Sequence, residues 1–301
     1  MTLGRVVVLT NPMAGHGNAP HASESAVARF QQLGIDVVKV VGRDATHARQ
    51  LVEEALGGEA DALVVIGGDG VIGLALQTVA RTDIPLGIVP AGTGNDHARE
   101  YGLPVGDPVA AVDLIAAGHT ETVDLGLIRG DDGSQTWFGT VAATGFDSLV
   151  SDRVNRMRWP HGRMRYNLAI LAELSRLHPL PFRLVLDGER EIVADLTLVA
   201  YGNTRSYGGG MRICPGADHF DGLLDITMVR AGSRTQLIRL FPTVFKGTHV
   251  NLDEVSTARA RSVRVESPGI NAYADGEYVC PLPAEISAVP GALRILVGPR
   301  A

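Results

Sequence analysis

The chain of 301 residues contains little cysteine and no long apolar segment. Its two cysteines, Cys214 and Cys280, are too few for a disulfide framework and lack the spacing of a metal site, so we expect two reduced thiols. No apolar run reaches the roughly 18 residues that a transmembrane helix requires. The first residues lead into a strand-like stretch without the apolar core of a signal peptide, which favours a cytoplasmic protein.

An excess of positive charge is also missing, because the formal net charge is −6. Nucleic acid is therefore not expected as a partner. Hydrophobic residues make up 45% of the chain and charged residues 20%, which is typical of a globular protein. The length is sufficient for two domains, each with its own core.

The first third alternates short apolar runs with helical patterns, which predicts βαβ units and a parallel sheet covered on both faces. The predicted strands are Arg5–Thr10, Asp36–Val41, Ala62–Ile66 and Pro85–Val89. The predicted helices are His21–Gln32, His47–Leu56, Val71–Ala80 and one that starts after Asp107 and ends at Gly118. A domain boundary is expected near Asp124–Ile128.

The remainder is predicted to be mostly antiparallel β structure. Strands are expected at Phe182–Leu186, Glu191–Tyr201, Asp225–Val229, Ser262–Glu266 and Ala284–Val289, and helices at Met164–Leu177 and Thr235–Lys246. A last strand, Leu293–Val297, follows Pro290-Gly291 and is expected to return to the first domain. We therefore predict an α/β N-terminal domain with a parallel sheet, residues 1–126 plus about 291–301, and a mostly antiparallel β domain, residues 127–290.

Three glycine-rich turns follow predicted strands of the first domain: Asn11-Pro12-Met13-Ala14-Gly15-His16-Gly17, Gly67-Gly68-Asp69-Gly70 and Pro90-Ala91-Gly92-Thr93-Gly94-Asn95-Asp96. In an open parallel sheet such turns lie at the carboxyl edge, where ligands bind. Glycine lets backbone N–H groups approach phosphate oxygens closely. The Walker motif, the dinucleotide fingerprint and the protein-kinase motifs are absent, so the turns predict a phosphate site of another kind.

These turns, in this order, resemble the signature of the diacylglycerol kinase catalytic domain, a family that includes sphingosine and ceramide kinases. The resemblance continues through Tyr207-Gly208-Gly209-Gly210-Met211, Pro215-Gly216-Ala217-Asp218, Asp221-Gly222-Leu223-Leu224-Asp225 and Ala274-Asp275-Gly276-Glu277. It covers nearly the whole chain and is strongest with the bacterial diacylglycerol kinases. It implies a fold like those of NAD kinase and diacylglycerol kinase, with a nucleotide-binding first domain and a lipid-binding second domain.

The resemblance also implies the roles of individual residues. Glu277 would be the proton acceptor, and Asp69 would be a second catalytic residue that organises Mg²⁺ and ATP. Asp69, Asp96 and Asp124 would form a water-mediated network around the magnesium ion. The nucleotide would be bound by the amides of residues 68–74 and by residues of the three turns: Asn11, Gly15, Gly17, Gly68, Asp69, Gly70, Val71, Gly92, Thr93, Asn95 and Asp96.

A second, structural magnesium ion would be bound by Asp221 with Asp218 and Leu223. An equally good interpretation is that Asp221-Gly222 only forms a tight turn. The chain departs from the family at Val71, Gly73 and Leu74, where relatives carry Thr, Asn and Glu. It departs again at Phe220, where many relatives carry Asp, which weakens the prediction of a structural metal. A similar triplet, Asp187-Gly188-Glu189, is expected to be only a hairpin turn.

The stretch Arg153–Tyr166 contains five arginines beside Trp159, Met164 and Tyr166, and apolar residues continue to Leu177 at helical spacing. This pattern suits a surface that contacts anionic lipid headgroups, but a solvated basic loop before a core-facing helix explains it slightly better. A lipid substrate implies transient, peripheral contact with the inner face of the membrane. A homodimer through edge strands is plausible for an antiparallel domain.

The function that these observations predict is ATP-dependent transfer of the γ-phosphate to a lipid hydroxyl, with diacylglycerol as the leading substrate. Phosphorylation of a sphingoid base or another lipid is an alternative, because no short motif specifies an acyl-chain pocket. NAD kinase shares a Gly-Gly-Asp-Gly turn but fits the other motifs less well. A catalytically silent nucleotide- or lipid-binding regulator is the remaining alternative, suggested by Val71 and Leu74.

Overall fold

The computed structural model describes residues 2–10, 18–146, 179–230 and 233–299. The first glycine-rich turn, with Asn11, Gly15 and Gly17, lies outside these ranges. So do the basic stretch Arg153–Tyr166 and the predicted helix Met164–Leu177. The described chain divides into two units, residues 1–125 with 290–301 and residues 126–289.

The first unit consists of alternating strands and helices, as the sequence predicts. Its elements are β1 (Arg5–Thr10), α1 (Asn18–Gln32), β2 (Asp36–Val41), α2 (Ala45–Leu56), β3 (Ala62–Gly67), α3 (Asp69–Val79), β4 (Leu86–Pro90), α4 (Asp96–Glu100), α5 (Pro108–Ala116), the start of β5 (Thr120–Gly130) and the end of β16 (Ala284–Leu296). Helix α5 begins as predicted, because the Asp107 side chain accepts a hydrogen bond from the Ala110 amide.

The sheet of the first unit has the strand order β2-β1-β3-β4-β16, and all these pairs are parallel. Strands β3 and β4 are buried along their whole length, which explains their continuous apolar sequence. Their pairing places Gly67 opposite Pro90, so the two turns that follow begin side by side at the carboxyl edge of the sheet. The pairing of Ile295 with Leu86 confirms that the last strand returns to this unit.

The second unit contains the end of β5, β6 (Gln135–Phe138), β7 (Val141–Gly145), β8 (Leu180–Leu186), β9 (Arg190–Leu196), β10 (Leu198–Gly202), β11 (Leu224–Val229), α6 (Arg234–Lys246), a short 3-10 helix (His249–Asn251), β12 (Val255–Ala260), β13 (Ser262–Glu266), β14 (Asn271–Ala274), β15 (Glu277–Pro281) and the start of β16. One sheet has the order β12-β11-β10-β7-β14-β15, and β16-β13-β8-β9 form a second series. All pairs in both series are antiparallel. The predicted fold class is therefore confirmed in both units.

Most predicted strands differ from the structure by only one or two end residues, but two parts of the prediction are wrong. The single strand expected at Glu191–Tyr201 is divided at Thr197 into β9 and β10, which belong to different sheets. The Thr197 amide donates a hydrogen bond to the Val229 carbonyl, so the chain changes partner there. Conversely, Pro290-Gly291 does not interrupt β16, which continues from Ala284 to Leu296.

Both cysteines are buried and carry free thiols, as expected. Burial raises the pKa of the Cys214 thiol to about 12, so it stays protonated at neutral pH. Within the described residues, no helix combines the length and apolar character needed to cross a membrane.

Candidate active site

The second and third glycine-rich turns contact each other at the carboxyl edge of the sheet. A Cβ atom at Gly92 would lie 2.4 Å from the Cα atom of Gly68, and a Cβ atom at Gly68 would lie 3.0 Å from the Cα atom of Gly92. Neither position can therefore hold a larger residue without movement of the backbone. The glycines predicted to bind phosphate also have a packing role, because they allow two loops to touch.

Asn95 fixes the shape of the third turn. Its Oδ1 atom accepts a hydrogen bond from the Gly92 amide at 3.0 Å, and its Nδ2 atom donates to the Gly92 carbonyl at 2.9 Å. Asn95 has a φ angle of 53°, in the left-handed region that asparagine tolerates better than most residues. The structure therefore gives this predicted nucleotide-binding residue a clear conformational role, whereas Thr93 is exposed in the same turn.

Asp69 is the first residue of α3, and its carboxylate is held mainly by His97, the residue directly after the third turn. Its Oδ1 atom lies 3.0 Å from Nδ1 of His97 and 3.3 Å from the His97 backbone nitrogen. Burial acts to raise the pKa of Asp69, but hydrogen bonds from His97, its charge and the Asp96 amide together hold that pKa below its ordinary value. The carboxylate is therefore ionised throughout the physiological range, as a residue that organises a cation must be.

Asp96 lies in the third turn, and its carboxylate approaches that of Asp69 beside Gly94. Both Oδ2 atoms border Gly94: a Cβ atom there would lie 2.6 Å from Oδ2 of Asp69 and 3.6 Å from Oδ2 of Asp96. The other oxygen of Asp96, Oδ1, lies 3.0 Å from Nη1 of Arg99, which supplies positive charge beside this buried carboxylate. The glycine thus leaves space where two predicted metal-network carboxylates meet.

Asp124 lies in the first unit, on strand β5, and its side chain is buried. Its Oδ1 atom accepts a hydrogen bond from the Gly291 amide at 2.8 Å. This contact fixes the carboxylate to the returning strand β16. Its predicted place in the magnesium network stays a prediction.

Glu277 is the first residue of β15, directly after a two-residue hairpin turn. Asp275 and Gly276 have φ angles of 49° and 86°, the left-handed pair that such a turn requires, and Ala274 pairs with Glu277. The Asp275 carboxylate accepts hydrogen bonds from the Gly139 and Thr140 amides, each at 2.8 Å, which anchors the turn. Glu277 itself is exposed, yet partial desolvation by the surrounding protein raises its pKa above the ordinary glutamate value.

The similar triplet at 187–189 is a hairpin turn, as predicted. Asp187 and Gly188 have φ angles of 52° and 74°, and Leu186 pairs with Arg190. The Asp187 carboxylate accepts the amides of Arg261 and Ser262. Glu189 is exposed at the end of this turn.

The proposed structural metal site contains a positively charged side chain of the protein. Oδ1 of Asp221 accepts the Leu223 amide, while Oδ2 is paired with the Arg259 guanidinium. Nε of Arg259 also lies 3.0 Å from Oδ2 of Asp225. A metal ion bound to Asp221 would have to compete with this guanidinium, so the residues present do not favour the second magnesium ion.

The carboxylates at Gly94 fit a magnesium ion better. Among the described residues, no group of three or more His, Cys, Asp or Glu side chains forms a closed metal site. Magnesium does not require one, because it usually keeps several waters and takes its remaining ligands from one or two carboxylates and from substrate phosphates. Asp69 and Asp96 are the side chains that would hold such an ion, directly or through water.

Three residues with clear roles at these sites were missed by the sequence analysis: His97, Arg99 and Arg259. His97 and Arg99 immediately follow the recognised third turn. Basic side chains directly after a turn that carries a carboxylate were a usable signal, because they can pair with it. Arg259 is separated from Asp221 by 38 residues, and only the pairing of β11 with β12 brings the two together.

An open parallel sheet with adjoining glycine turns and convergent carboxylates at its carboxyl edge is the arrangement of a phosphate-binding α/β protein. Comparison with known families agrees: residues 5–128 match the diacylglycerol kinase catalytic domain, and residues 140–297 match the YegS C-terminal NAD kinase beta sandwich-like domain. The chain belongs to the diacylglycerol kinase family.

Several relatives and one solved structure indicate how far the similarity extends. A diacylglycerol kinase of Mycobacterium tuberculosis is 67% identical, over 98% of this chain and 95% of the relative. A probable lipid kinase YegS-like protein of Stenotrophomonas maltophilia is 31% identical, over 90% and 89%. The crystal structure of a diacylglycerol kinase from Bacillus anthracis has a TM-score of 0.73 at 20% identity, over 99% of this chain and 98% of that one, and supports the fold.

Proposed function

We propose that the protein is an ATP-dependent lipid kinase that transfers the γ-phosphate of ATP to the hydroxyl group of diacylglycerol, which gives phosphatidic acid. The observation that carries this proposal is the convergence of Asp69 and Asp96 on Gly94, beside the contact between Gly68 and Gly92. Phosphoryl transfer depends mainly on positioning and on neutralisation of charge, so a site for it needs carboxylates for a metal and amide donors for phosphates.

The backbone of the second turn supplies donors for the nucleotide phosphates. Helix α3 starts at Asp69, and its first backbone hydrogen bonds run from the Val71 and Ile72 amides to the Gly68 carbonyl. The amides of Asp69 and Gly70 precede these bonds, and a helix offers no carbonyl partner to its first amides. Such amides, with the positive end of the helix dipole, bind anions. The glycines at 68 and 70 keep side chains out of the way, and Thr93 and the rest of the third turn border the same edge of the sheet.

Bound magnesium and ATP would supply the phosphoryl group and the charge that offsets its negative oxygens. Asp69 would hold the ion because His97 fixes its Oδ1 atom and leaves Oδ2 directed toward Gly94. Asp96 would share the ion, and Asp124 would complete the network through water. Retention of these acids argues against a catalytically silent regulator.

Glu277 would accept the proton of the lipid hydroxyl during attack. A glutamate with a raised pKa is a stronger base than a free glutamate. The rigid turn at Asp275-Gly276 gives its backbone a fixed position. The preference for diacylglycerol is supported by the names of the relatives, in particular the one that is 67% identical.

The test is transfer of labelled γ-phosphate from ATP, with Mg²⁺, to diacylglycerol in mixed micelles. We expect labelled phosphatidic acid with the wild-type protein and a loss of about a hundredfold or more with Asp69→Asn. Asp36→Asn is the matched control, because the Asp36 side chain in the same unit is 69% exposed and has no part in the proposed site.

Parallel reactions with sphingosine, other lipid alcohols and NAD distinguish the related activities. If the label enters one of these acceptors and not diacylglycerol, the protein is still a kinase, but the proposed substrate is wrong. ATP binding without transfer to any acceptor would instead favour a regulatory protein. Full activity of Asp69→Asn would contradict the assignment of the site itself.

A further inference from the structure

Helix α6 exposes a stripe of large apolar side chains. Ile238, Phe241 and Phe245 are 61%, 47% and 47% exposed, although they belong to residue types that are usually buried. Their spacing of three and four residues places them on one face of the helix. Single exposed apolar residues are common on soluble proteins, but three in one row form a patch that requires an explanation.

The helix is attached to the second unit by a neighbouring face. Leu240 and Val244 are buried in a cluster with residues such as Ile213 and Val255. A capping box formed by Ser233 and Gln236 begins the helix, and Gly247 in the left-handed conformation ends it. The exposed stripe is therefore presented on a well-defined helix with its own contacts to the core.

The charge of the helix identifies the kind of partner. Its 13 residues include Arg234, Arg239 and Lys246 and no acidic residue, in a chain with a net charge of −6. Arg239 and Lys246 are seven residues apart, so they share one face that adjoins the stripe. Gln236, which contacts Glu254, lies two residues before Ile238 and hence on the far side of the helix.

An apolar stripe with phenylalanine, beside basic residues, is the pattern of a helix that lies in the interface of a membrane with anionic lipids. The two phenylalanines contact each other edge to face, with ring centroids 5.5 Å apart, and form one continuous apolar surface. We infer that α6 docks the protein on an anionic membrane surface, with Ile238, Phe241 and Phe245 inserted among the lipids and Arg239 and Lys246 on their headgroups.

This inference rests on the proposed function only in that a kinase acting on a membrane lipid must reach the bilayer. It goes beyond that function by assigning the contact to a particular element. The stretch Arg153–Tyr166, which the sequence also suggested for this role, lies outside the described residues. The docking surface can be tested by binding alone, without turnover.

The experiment measures sedimentation of the full-length protein with vesicles of phosphatidylcholine, with and without phosphatidylglycerol. We expect preferential binding to the anionic vesicles. The triple variant Ile238→Gln, Phe241→Gln, Phe245→Gln should bind them roughly tenfold more weakly or worse. The double variant Arg239→Gln, Lys246→Gln should lose roughly thirtyfold on anionic vesicles and show a weaker dependence on salt.

Val193→Gln is the matched control, because Val193 is 73% exposed on β9, away from the stripe. This variant should bind vesicles like the wild type. Unchanged vesicle binding in the triple variant would overturn the inference. So would a change of oligomeric state without a change in vesicle binding, since the stripe would then be an interface between two copies.

Activity on a short-chain diacylglycerol below its aggregation limit separates the two proposals. The triple variant should match the wild type on this dispersed substrate and lose activity only on vesicles. Full activity of the triple variant on vesicles would again overturn docking through α6. If the wild type phosphorylates neither form, the proposed function fails, while the result of the binding experiment still decides the docking surface.

Discussion

Nδ1 of His97 lies 3.0 Å from Oδ1 of Asp69, and the backbone nitrogen of the same histidine lies 3.3 Å from that oxygen. Because the carboxylate is ionised and only accepts hydrogen bonds, Nδ1 carries the proton in this contact. The histidine side chain is only 2% exposed, so its ring is held by the surrounding protein. His97 therefore fixes the direction of the carboxylate that we propose for the metal.

Replacement of this histidine should reduce turnover by way of Asp69. We expect His97→Leu to lower kcat by about tenfold to a hundredfold, because a misdirected carboxylate positions the metal poorly. His97→Asn keeps an N–H donor near the Nδ1 position and should recover a substantial part of the activity. The measurements are kcat and the KM for ATP, with the melting temperature of each variant.

A purely structural role for His97 predicts a different pattern. The two variants would then lose activity in proportion to their loss of stability, and the asparagine would give no advantage, since it leaves the larger cavity. Equal kcat values for His97→Leu and His97→Asn would therefore refute the positioning role.

The raised pKa of Glu277 predicts the acid side of the pH profile. The base acts when ionised, so kcat/KM should fall as the pH drops through a pKa above the ordinary value of 4.5. A raised carboxyl pKa also means that folding disfavours the charged form, so this residue costs stability as the pH rises from about 4.5 through the folded-state pKa. Glu277→Gln should consequently lower turnover while leaving the melting temperature near neutral pH unchanged or higher.

Glu189→Gln is the matched control, because Glu189 is exposed and follows the same Asp-Gly pair in another hairpin. It should retain the wild-type pH profile. A profile whose acid limb survives in Glu277→Gln would assign that limb to another group. An equal loss of turnover and ATP binding in Glu277→Gln would indicate a structural residue.

Much of the first unit could be predicted because its signals are local. Strands such as Arg5–Thr10 and Asp36–Val41 are rich in valine, and Asp107 with Pro108 marks the start of α5 unambiguously. Helix α3 was predicted to begin at Val71 but begins at Asp69. The glycines on either side of Asp69 obscured this start, because glycine is a weak helix former.

The second unit was less predictable because its decisive contacts join residues far apart in the sequence. The division of Glu191–Tyr201 at Thr197 depends on the distant carbonyl of Val229.

The sequence motifs identified Asp69 and Asp96 as candidates, but not His97 and Arg99, which orient them. A motif specifies the residue types that chemistry requires, whereas their supporting partners follow from packing.

The contact between Gly68 and Gly92 makes a further prediction. Gly92→Ala would place a Cβ atom 2.4 Å from the Cα atom of Gly68, so the third turn must move. We expect loss of ATP binding by about tenfold or more, measured by calorimetry, with a lower melting temperature. Gly58→Ala is the control, since its Cβ atom would lie 3.4 Å from the nearest atom. Gly58→Ala should leave ATP binding unchanged and alter the free energy of unfolding by no more than about 1 kcal/mol. If both variants weaken ATP binding equally, the contact between the two turns has no special role in it.

The pairing of Arg259 with Asp221 and Asp225 predicts that the second unit does not depend on a metal ion. Burial and the nearby Asp218 carboxylate raise the pKa of Asp225 to about 6, so negative charge is disfavoured in this cluster. Arg259→Met removes the guanidinium and should lower stability by about 1 kcal/mol, because the pair is partly exposed.

The melting temperature in Mg²⁺ and in EDTA shows whether the Arg259 guanidinium or a magnesium ion neutralises these carboxylates. We expect no difference for the wild type without nucleotide, and stabilisation of Arg259→Met by Mg²⁺, because the ion can then take the position of the guanidinium beside Asp221. Arg259→Lys keeps a positive charge and should respond less to Mg²⁺ than the methionine variant. A marked fall in the wild-type melting temperature in EDTA would instead restore the structural magnesium ion and place Arg259 outside its coordination sphere.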